Sequence, residues 1–206
     1  MAAIPDSSLL GHQLLHEQVV AALETCHESR GIEFKRSATW NNLRDHIART
    51  AMAMSNLRDG GTIIIGIDES QASPVCEGIQ PQDLATYDDV TVNDWINTFA
   101  SPTLRISLVR VPYEGREFLA LNVPEFESTP TVCRRQREPT FRAGQIYIRP
   151  NGKPESRMVR DASEMHDLLE LAAEKRARRF LEMASRLGMK PPDDAAKAYD
   201  DELEGL

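Results

Sequence analysis

The sequence predicts an α+β fold, in which a mixed β-sheet with flanking helices is followed by a long C-terminal helix. Helical and strand patterns follow one another irregularly along the 206 residues. One apolar, β-branched run, residues 62–67, has the composition of a buried central strand. Two alternating strands flank a Tyr-Glu-Gly turn at residues 113–115, which is typical of a hairpin. This order lacks the regular crossovers of a Rossmann domain or a TIM barrel.

The first half of the chain is predicted to alternate helices with short strands. Residues 8–27 repeat apolar side chains at helical spacing, and a strand is expected at 32–36. A second helix follows Ser37 and ends before the Asp59-Gly60-Gly61 turn, after which the 62–67 strand begins. The double glycine lacks the lysine and hydroxyl residues of a P-loop, so we interpret it as a tight turn. A short returning strand is expected at 75–79.

The second half is expected to contain helices at both ends. Residues 81–99 form one helix or a pair broken near Asp88-Asp89, and the hairpin strands occupy 104–111 and 117–123. A long Pro-, Thr- and Arg-rich loop follows at 124–143, and then a strand at 144–149. The long helix is predicted from Arg160 to Leu187, because Gly188 and two prolines stop it.

We divide the chain into four parts. Residues 1–27 are an N-terminal helix, 28–160 the main domain, 161–192 the C-terminal helix, and 193–206 an acidic tail expected to be disordered.

The charge distribution favours binding of a polyanion through a local surface. A net charge of −8 argues against coating nucleic acid by bulk attraction. Residues 131–160, here called the basic belt, nevertheless contain eight basic and two acidic residues, a balance of +6. The tail carries a balance of −5 and would compete for such a surface or simply act as a solubilising end. The predicted nucleic-acid-binding residues are Arg134, Arg135, Arg137, Arg142, Arg149 and Lys153.

Three carboxylates lie where strands begin or end. In the segment ESRGIEFK, Glu28 precedes the first strand, and Glu33 and Lys35 share one strand face while Phe34 points to the other. Asp68 ends the 62–67 strand. If the two strands pair, Glu28, Glu33 and Asp68 converge. Solvated charge or a structural Glu–Lys pair explains the same pattern, and both interpretations stay open.

Converging carboxylates would suit a divalent metal. Mg²⁺ and Mn²⁺ prefer oxygen ligands, and a hydrated dication beside a phosphodiester activates water and stabilises the leaving oxygen. Lys35 would stabilise the developing charge. The predicted catalytic residues are therefore Glu28, Glu33, Lys35 and Asp68, with Glu28, Glu33 and Asp68 as metal ligands.

The remaining reactive residue types give no clear pattern. The five histidines have no zinc or triad arrangement, and His12 and His16 lack the HExxH glutamate. Cys26, Cys76 and Cys133 are odd in number and widely spaced, which predicts buried free thiols in a reducing cytosol. Without a signal peptide pattern or a long apolar stretch, we expect a cytoplasmic protein that does not bind membranes.

Three segments together resemble the Schlafen-type AlbA-like domain. They are ESRGIEFKRS, AMAMSNLRDGGTIIIGIDES and GQIYIRPNGKPES, and the resemblance spans residues 28–160. Some Schlafen proteins are endoribonucleases that cut structured RNA such as tRNA, in settings that include stress or phage defence, with three carboxylates and a divalent metal. By motif, Glu28 and Glu33 match the first two carboxylates, Asp68 the third, and Lys35 the lysine of E-F-K. The resemblance implies an RNA endonuclease using Mg²⁺ or Mn²⁺, with RNA favoured over DNA.

Two other functions fit the same sequence. The chain would serve as a non-catalytic nucleic-acid-binding or regulatory module if only the basic belt is functional. It would serve as a subunit of a larger nucleic-acid-processing assembly if the apolar stripe of the C-terminal helix docks onto a partner. Eukaryotic family members use two lobes, so a single-lobe chain is expected to form a homodimer.

Overall fold

The computed structural model describes residues 7–70, 74–150 and 155–188, with residues 7–12 as backbone only. None of the helices in these ranges is long and apolar enough to cross a membrane. The described helices are α1 (Ser7–Thr25), α2 (Trp40–Ser55), α3 (Pro81–Leu84), α4 (Asp89–Phe99) and α5 (Ala162–Arg186).

A four-stranded mixed sheet is the centre of the fold. The described strands are β1 (Ile32–Lys35), β2 (Gly61–Ile65), β3 (Ile67–Asp68), β4 (Val75–Cys76), β5 (Ala100–Ser101), β6 (Ser107–Tyr113), β7 (Arg116–Val123), β8 (Val132–Cys133), β9 (Tyr147–Ile148) and β10 (Arg157–Met158). The main sheet has the order β1-β2-β7-β6. Its β1–β2 pair is parallel and the other two pairs are antiparallel. Two-stranded pairs β3–β4, β5–β8 and β9–β10 lie around it. The predicted α+β fold is confirmed.

The two faces of the sheet are covered by different helices. Ile63 and Ile65 of β2 pack in a cluster with the buried residues of α2 and α4. Ile64 and Phe34 point to the other face, where Val19 and its neighbours on α1 cover them. This alternation follows from the two-residue period of a strand, because every residue of β2 from Thr62 onward is buried.

The hairpin and the helix pair match the sequence prediction. Strands β6 and β7 are joined through Glu114 and Gly115, with φ values of +48° and +74°. Positive φ at both central residues suits the twist of a two-residue hairpin. The 81–99 segment forms a broken pair, α3 and α4. Asp88 caps α4 by accepting a hydrogen bond from the Thr91 amide at 2.8 Å.

Two glycines explain the path of the chain on either side of β2. Gly60 has φ +71°, and a Cβ there would lie 2.1 Å from the Val123 carbonyl oxygen, so the double glycine is a tight turn. Gly66 has φ +121°, and its Cβ would lie 2.7 Å from the Gly78 backbone. The predicted continuous 62–67 strand is therefore wrong, because the chain bends at Gly66 and starts β3 in a separate ribbon.

The C-terminal part is less regular than predicted. The 124–143 loop contains β8, and the 144–149 strand shortens to β9. Leu171 and Ala172 of α5 pack against Phe126. Beyond this contact α5 exposes the large apolar side chains Phe180, Leu181 and Met183, and Leu187, directly after the helix, is exposed as well. The division into four parts stays a prediction, and the acidic tail lies outside the described residues.

Candidate functional site

Strand β1 lies at the free edge of the main sheet. The carbonyl oxygens of Gly31 and Lys35 accept hydrogen bonds from amides on the β2 side at 2.7 and 2.8 Å. The residues between them alternate, so the N–H and C=O groups of Ile32 and Phe34 face away from β2. Backbone groups at a sheet edge need other partners when water is excluded.

Charged side chains supply most of those partners. The Phe34 amide donates to Glu28 Oε1 at 2.6 Å, and Lys35 Nζ donates to the Phe34 carbonyl at 2.7 Å. Arg149 Nη2 donates to the Ile32 carbonyl at 3.3 Å. The Ile32 amide donates to a backbone carbonyl of the preceding turn. Side chains of the ESRGIEFK segment thus satisfy backbone groups of β1, which we call the sealed strand. Arg149 is the one partner named here that comes from a distant part of the chain.

Glu33 is held between two cations. Its side chain pairs with Arg149 Nη1 at 2.5 Å and with the Lys35 ammonium group. The register places Glu33 beside Ile63 and Lys35 beside Ile65, so both point to one face as predicted. Both carboxylate oxygens of Glu33 are engaged, one by each cation.

Arg149 was predicted to contact nucleic acid, and the structure instead pairs its guanidinium with groups of the protein. Its side chain is 0% exposed. It donates to Glu33 and to the Ser29 and Ile32 carbonyls. A guanidinium enclosed in this way has no path to a phosphate in solution. Its position just after β9 explains the burial, since Tyr147 and Ile148 of that strand are buried.

Glu28 and Glu69 are a second set of carboxyl side chains, whose surroundings differ from those of Glu33. Burial, above all, raises the pKa of Glu28 to about 7, and the nearby negative charges of Glu33 and Glu69 act in the same direction. Partial burial also raises the pKa of Glu69, and the negative charge of Glu33 acts in the same direction while Lys35 lowers it. Each of the two carboxyl groups is thus harder to ionise than a glutamate in water.

Asp68 makes a local contact at the end of β3. Its Oδ1 accepts a hydrogen bond from the Ser70 amide at 2.9 Å, and this contact is the main reason that the pKa of Asp68 is lowered. Among the residues that the structure describes, no group of three His, Cys, Asp or Glu side chains is arranged to hold a metal. Strand β2 lies beside β1, and the chain bends at Gly66 before it reaches Asp68, so the ligand roles of Glu28, Glu33 and Asp68 stay predictions. The metal itself stays a prediction.

Glu69 is the site residue that sequence reasoning missed. The signal was present, since an Asp-Glu pair ends the apolar segment, but the position next to Glu28 depends on the bend at Gly66.

The other predicted basic residues lie on the surface or outside the described ranges. Arg135 and Arg142 are exposed. Arg134 is also exposed, and its guanidinium donates to the Asn97 and Thr98 carbonyls at the end of α4. Whether these three arginines bind nucleic acid stays a prediction.

Arg137 and Lys153 differ from those three. Arg137 forms an ion pair with Asp45 at 3.6 Å, and its guanidinium lies over the Trp95 ring at 4.7 Å. These two contacts already compensate part of its positive charge. Lys153 lies outside the described residues.

Comparison with solved structures gives distant similarities. The chain is similar to the DIP2311 protein from Corynebacterium diphtheriae, with 17% identity and a TM-score of 0.47, over 69% of this chain and 26% of that one. It therefore spans about a quarter of that chain. It is also similar to the N-terminal domain of a RecG-related protein from Nitrosomonas europaea, with 20% identity and a TM-score of 0.42, over 73% of this chain and 94% of that one.

A comparison of sequences identifies the family. None of the curated proteins matches the chain. The family model described as "Schlafen, AlbA_2" matches residues 28–156, more than half of the sequence. The matched residues include strand β1, the carboxyl side chains of Glu28, Glu33 and Glu69, and Arg149. The chain belongs to the Schlafen AlbA_2 family, which indicates a function connected with nucleic acids.

Proposed function

We propose that the protein is a divalent-metal-dependent endoribonuclease acting on structured RNA such as tRNA, with Glu28 and Glu69 as the metal-binding carboxylates. The observation that carries the proposal is the half-buried Glu28 carboxyl group, which the Phe34 amide holds at 2.6 Å and on which the charges of Glu69 and Lys35 act. Glu69 is added because Glu33 is paired with two cations and Asp68 accepts a hydrogen bond from Ser70, while the predicted ligand roles of Glu33 and Asp68 stay predictions.

The donor set fits a magnesium or manganese ion. Mg²⁺ keeps several waters and is commonly bound through only one or two carboxylates together with substrate phosphates. Glu28 Oε1 is already bonded to the Phe34 amide, which fixes the orientation of the carboxylate and leaves Oε2 to act as a ligand. Glu69 is exposed, so a phosphate in solution has access to the pair. The ion would activate a water and stabilise the leaving oxygen.

The side chains around the pair have separate roles. The positive charge of Lys35 acts on both carboxyl groups, lowering the pKa of each, and would favour a phosphodiester at this place. Glu33 and Arg149 hold Lys35 and strand β1 in position. Arg135 and Arg142 would contact phosphates elsewhere on the substrate, positioning it without reading its sequence.

The test is cleavage of total tRNA by purified protein with Mn²⁺ or Mg²⁺. We expect Glu28→Gln and Glu69→Gln to reduce the cleavage rate by about 100-fold or more, the usual range for removing a catalytic group. Glu117→Gln is the matched control, because Glu117 is an exposed glutamate on β7. Equal cleavage by all variants, or none by the wild-type protein with either metal, would contradict the proposal.

The side-chain contacts to the backbone of β1 favour a second, non-catalytic function. Because Glu28, Lys35 and Arg149 all satisfy backbone groups of β1, the same residues would be required in a non-catalytic nucleic-acid-binding or regulatory module. In that case Arg135→Ala and Arg142→Ala weaken RNA binding, while Glu69→Gln changes neither binding nor cleavage. Glu69 discriminates between the two functions, since it bonds to no backbone group of β1.

A further inference from the structure

Two cysteines that are far apart in sequence lie in contact. The Sγ atoms of Cys26 and Cys76 are 2.8 Å apart, although the two residues are separated by 50 positions in the sequence. Cys26 directly follows α1, and Cys76 lies in β4. Both are partly exposed, whereas Cys133 is buried. The prediction that all three thiols are buried is therefore wrong for this pair.

The pair is placed to form a covalent bond with little movement. A disulfide has an S–S distance of about 2.05 Å, so the two sulfur atoms need to approach by only about 0.8 Å. Cys26 has φ +45°, a conformation that fixes the end of α1 and directs the chain toward Glu28. Cys76 is held in register opposite Ile67 in the β3–β4 ribbon.

We propose that Cys26 and Cys76 are a reversible oxidation site that forms an intramolecular disulfide with a low-molecular-weight disulfide as the oxidant. The thiolate of one cysteine attacks the small disulfide, which forms a mixed disulfide and releases one small thiol. The second cysteine then attacks the protein-bound sulfur and releases the other small thiol. One equivalent of small disulfide is reduced to two thiols, and the two protein thiols are oxidised to one bond.

The surroundings of the pair differ from those of an exposed thiol. Cys76 is partly buried and in contact with Cys26, and burial raises the pKa of its thiol.

The bond would link the two segments that carry the carboxylate pair. Glu28 lies two residues after Cys26, and Glu69 follows β3, the partner strand of β4. Oxidation would hold the turn before β1 against the β3–β4 ribbon and limit their relative movement. The inference does not depend on nuclease activity, since it concerns only the chemistry of the thiols.

The test uses the full chain incubated with glutathione disulfide, followed by alkylation of the remaining thiols and peptide mapping. We expect free thiols to fall from the three in the sequence to one, with a Cys26–Cys76 peptide link that a reductant removes. Cys133→Ser keeps this link, and Cys26→Ser and Cys76→Ser lose it. Oxidised wild-type protein should melt roughly 5–10 °C higher than reduced protein, because the bridge closes a long loop.

Three results would overturn the inference. They are a link that includes Cys133, a link only between chains, and three free thiols under conditions that fully oxidise a reference dithiol peptide. The mapping of wild-type protein decides among them, so the result does not depend on whether a variant folds.

Discussion

Two glutamates of the ESRGIEFK segment, five residues apart, have opposite environments. Glu33 is nearly enclosed and neutralised by Arg149 and Lys35. Glu28 is half-buried, and this burial, together with the negative charges of Glu33 and Glu69, raises its pKa to about 7. Similar charges in one short segment thus make a structural ion pair and a candidate reactive group.

The difference arises from which cations reach each carboxylate. Arg149 comes from more than a hundred positions away and contacts Glu33, not Glu28. Lys35 bonds to Glu33 and acts on Glu28 only through its charge. A buried charge with paired hydrogen-bonding partners is stable, whereas two carboxyl groups left together tend to hold a proton or take a cation. The comparison therefore predicts a structural role for Glu33 and a reactive role for Glu28.

The largest expected change in stability follows from removing Arg149 from its ion pair with Glu33. Arg149→Ala should lower the free energy of unfolding by about 3–5 kcal/mol, because it leaves a buried carboxylate with one cation and removes a donor from the β1 edge. Urea unfolding measures this change. Arg142→Ala is the control, since an exposed arginine should alter stability by less than about 0.5 kcal/mol.

If Arg149→Ala and Arg142→Ala change stability equally little, the distinction between buried and exposed arginines fails. Arg149 would then return to the set of surface phosphate contacts.

The sequence predicted the elements around the site better than the contacts within it. Alternation in IEFK and the apolar run after Gly61 predicted both strands, and the pairing that the sequence left as a condition is present in the structure. The position of Asp68 could not be predicted from the sequence. It depends on the positive φ of Gly66, whereas the β-branched composition of this segment predicts that the strand continues through that residue. Local pattern fixes the face of a strand, but a single backbone bend decides which side chain reaches the site.

Arg149 illustrates the same limit for charge. Its neighbours in the basic belt made it look like a surface residue, and charge counting treats all arginines alike. Arg149 differs from the exposed Arg142 because it is buried. It directly follows the buried residues Tyr147 and Ile148, and its side chain pairs with Glu33. Such long-range pairing is not visible in a single sequence.

A second prediction concerns pH and the reactive pair. Since the folded-state pKa of Glu28 lies near 7 and its ordinary value is 4.5, protonation favours folding. This contribution is fully present below pH 4.5 and is lost as the pH rises through 7. Glu28→Gln should therefore stabilise the protein at pH 8 by about 1–2 kcal/mol, less than the full shift implies because the side chain is half-exposed and screened. At pH 4 the variant and the wild-type protein should differ little.

The groups that face Glu28 provide the controls for this experiment. Glu33 and Glu69 raise its pKa and Lys35 lowers it, so Glu69→Gln should reproduce part of the gain at pH 8. Added Mg²⁺ should raise the melting temperature of the wild-type protein at pH 8, and not that of Glu28→Gln. Identical Mg²⁺ responses in the two proteins would contradict a metal at this pair.

The smallest expected effects are at the exposed arginines. If Arg135 and Arg142 contact phosphates, each change to Ala should reduce the slope of log affinity against log salt concentration by about one and weaken RNA binding by about 0.5–1 kcal/mol at moderate salt. Arg134→Ala should have a smaller effect, because its guanidinium already donates to the carbonyls at the end of α4. Fluorescence titration of a structured RNA at several salt concentrations measures the slope. An unchanged slope for Arg135→Ala and Arg142→Ala would mean that the substrate binds elsewhere, and it would direct the search to the surface around Lys35 and Glu69.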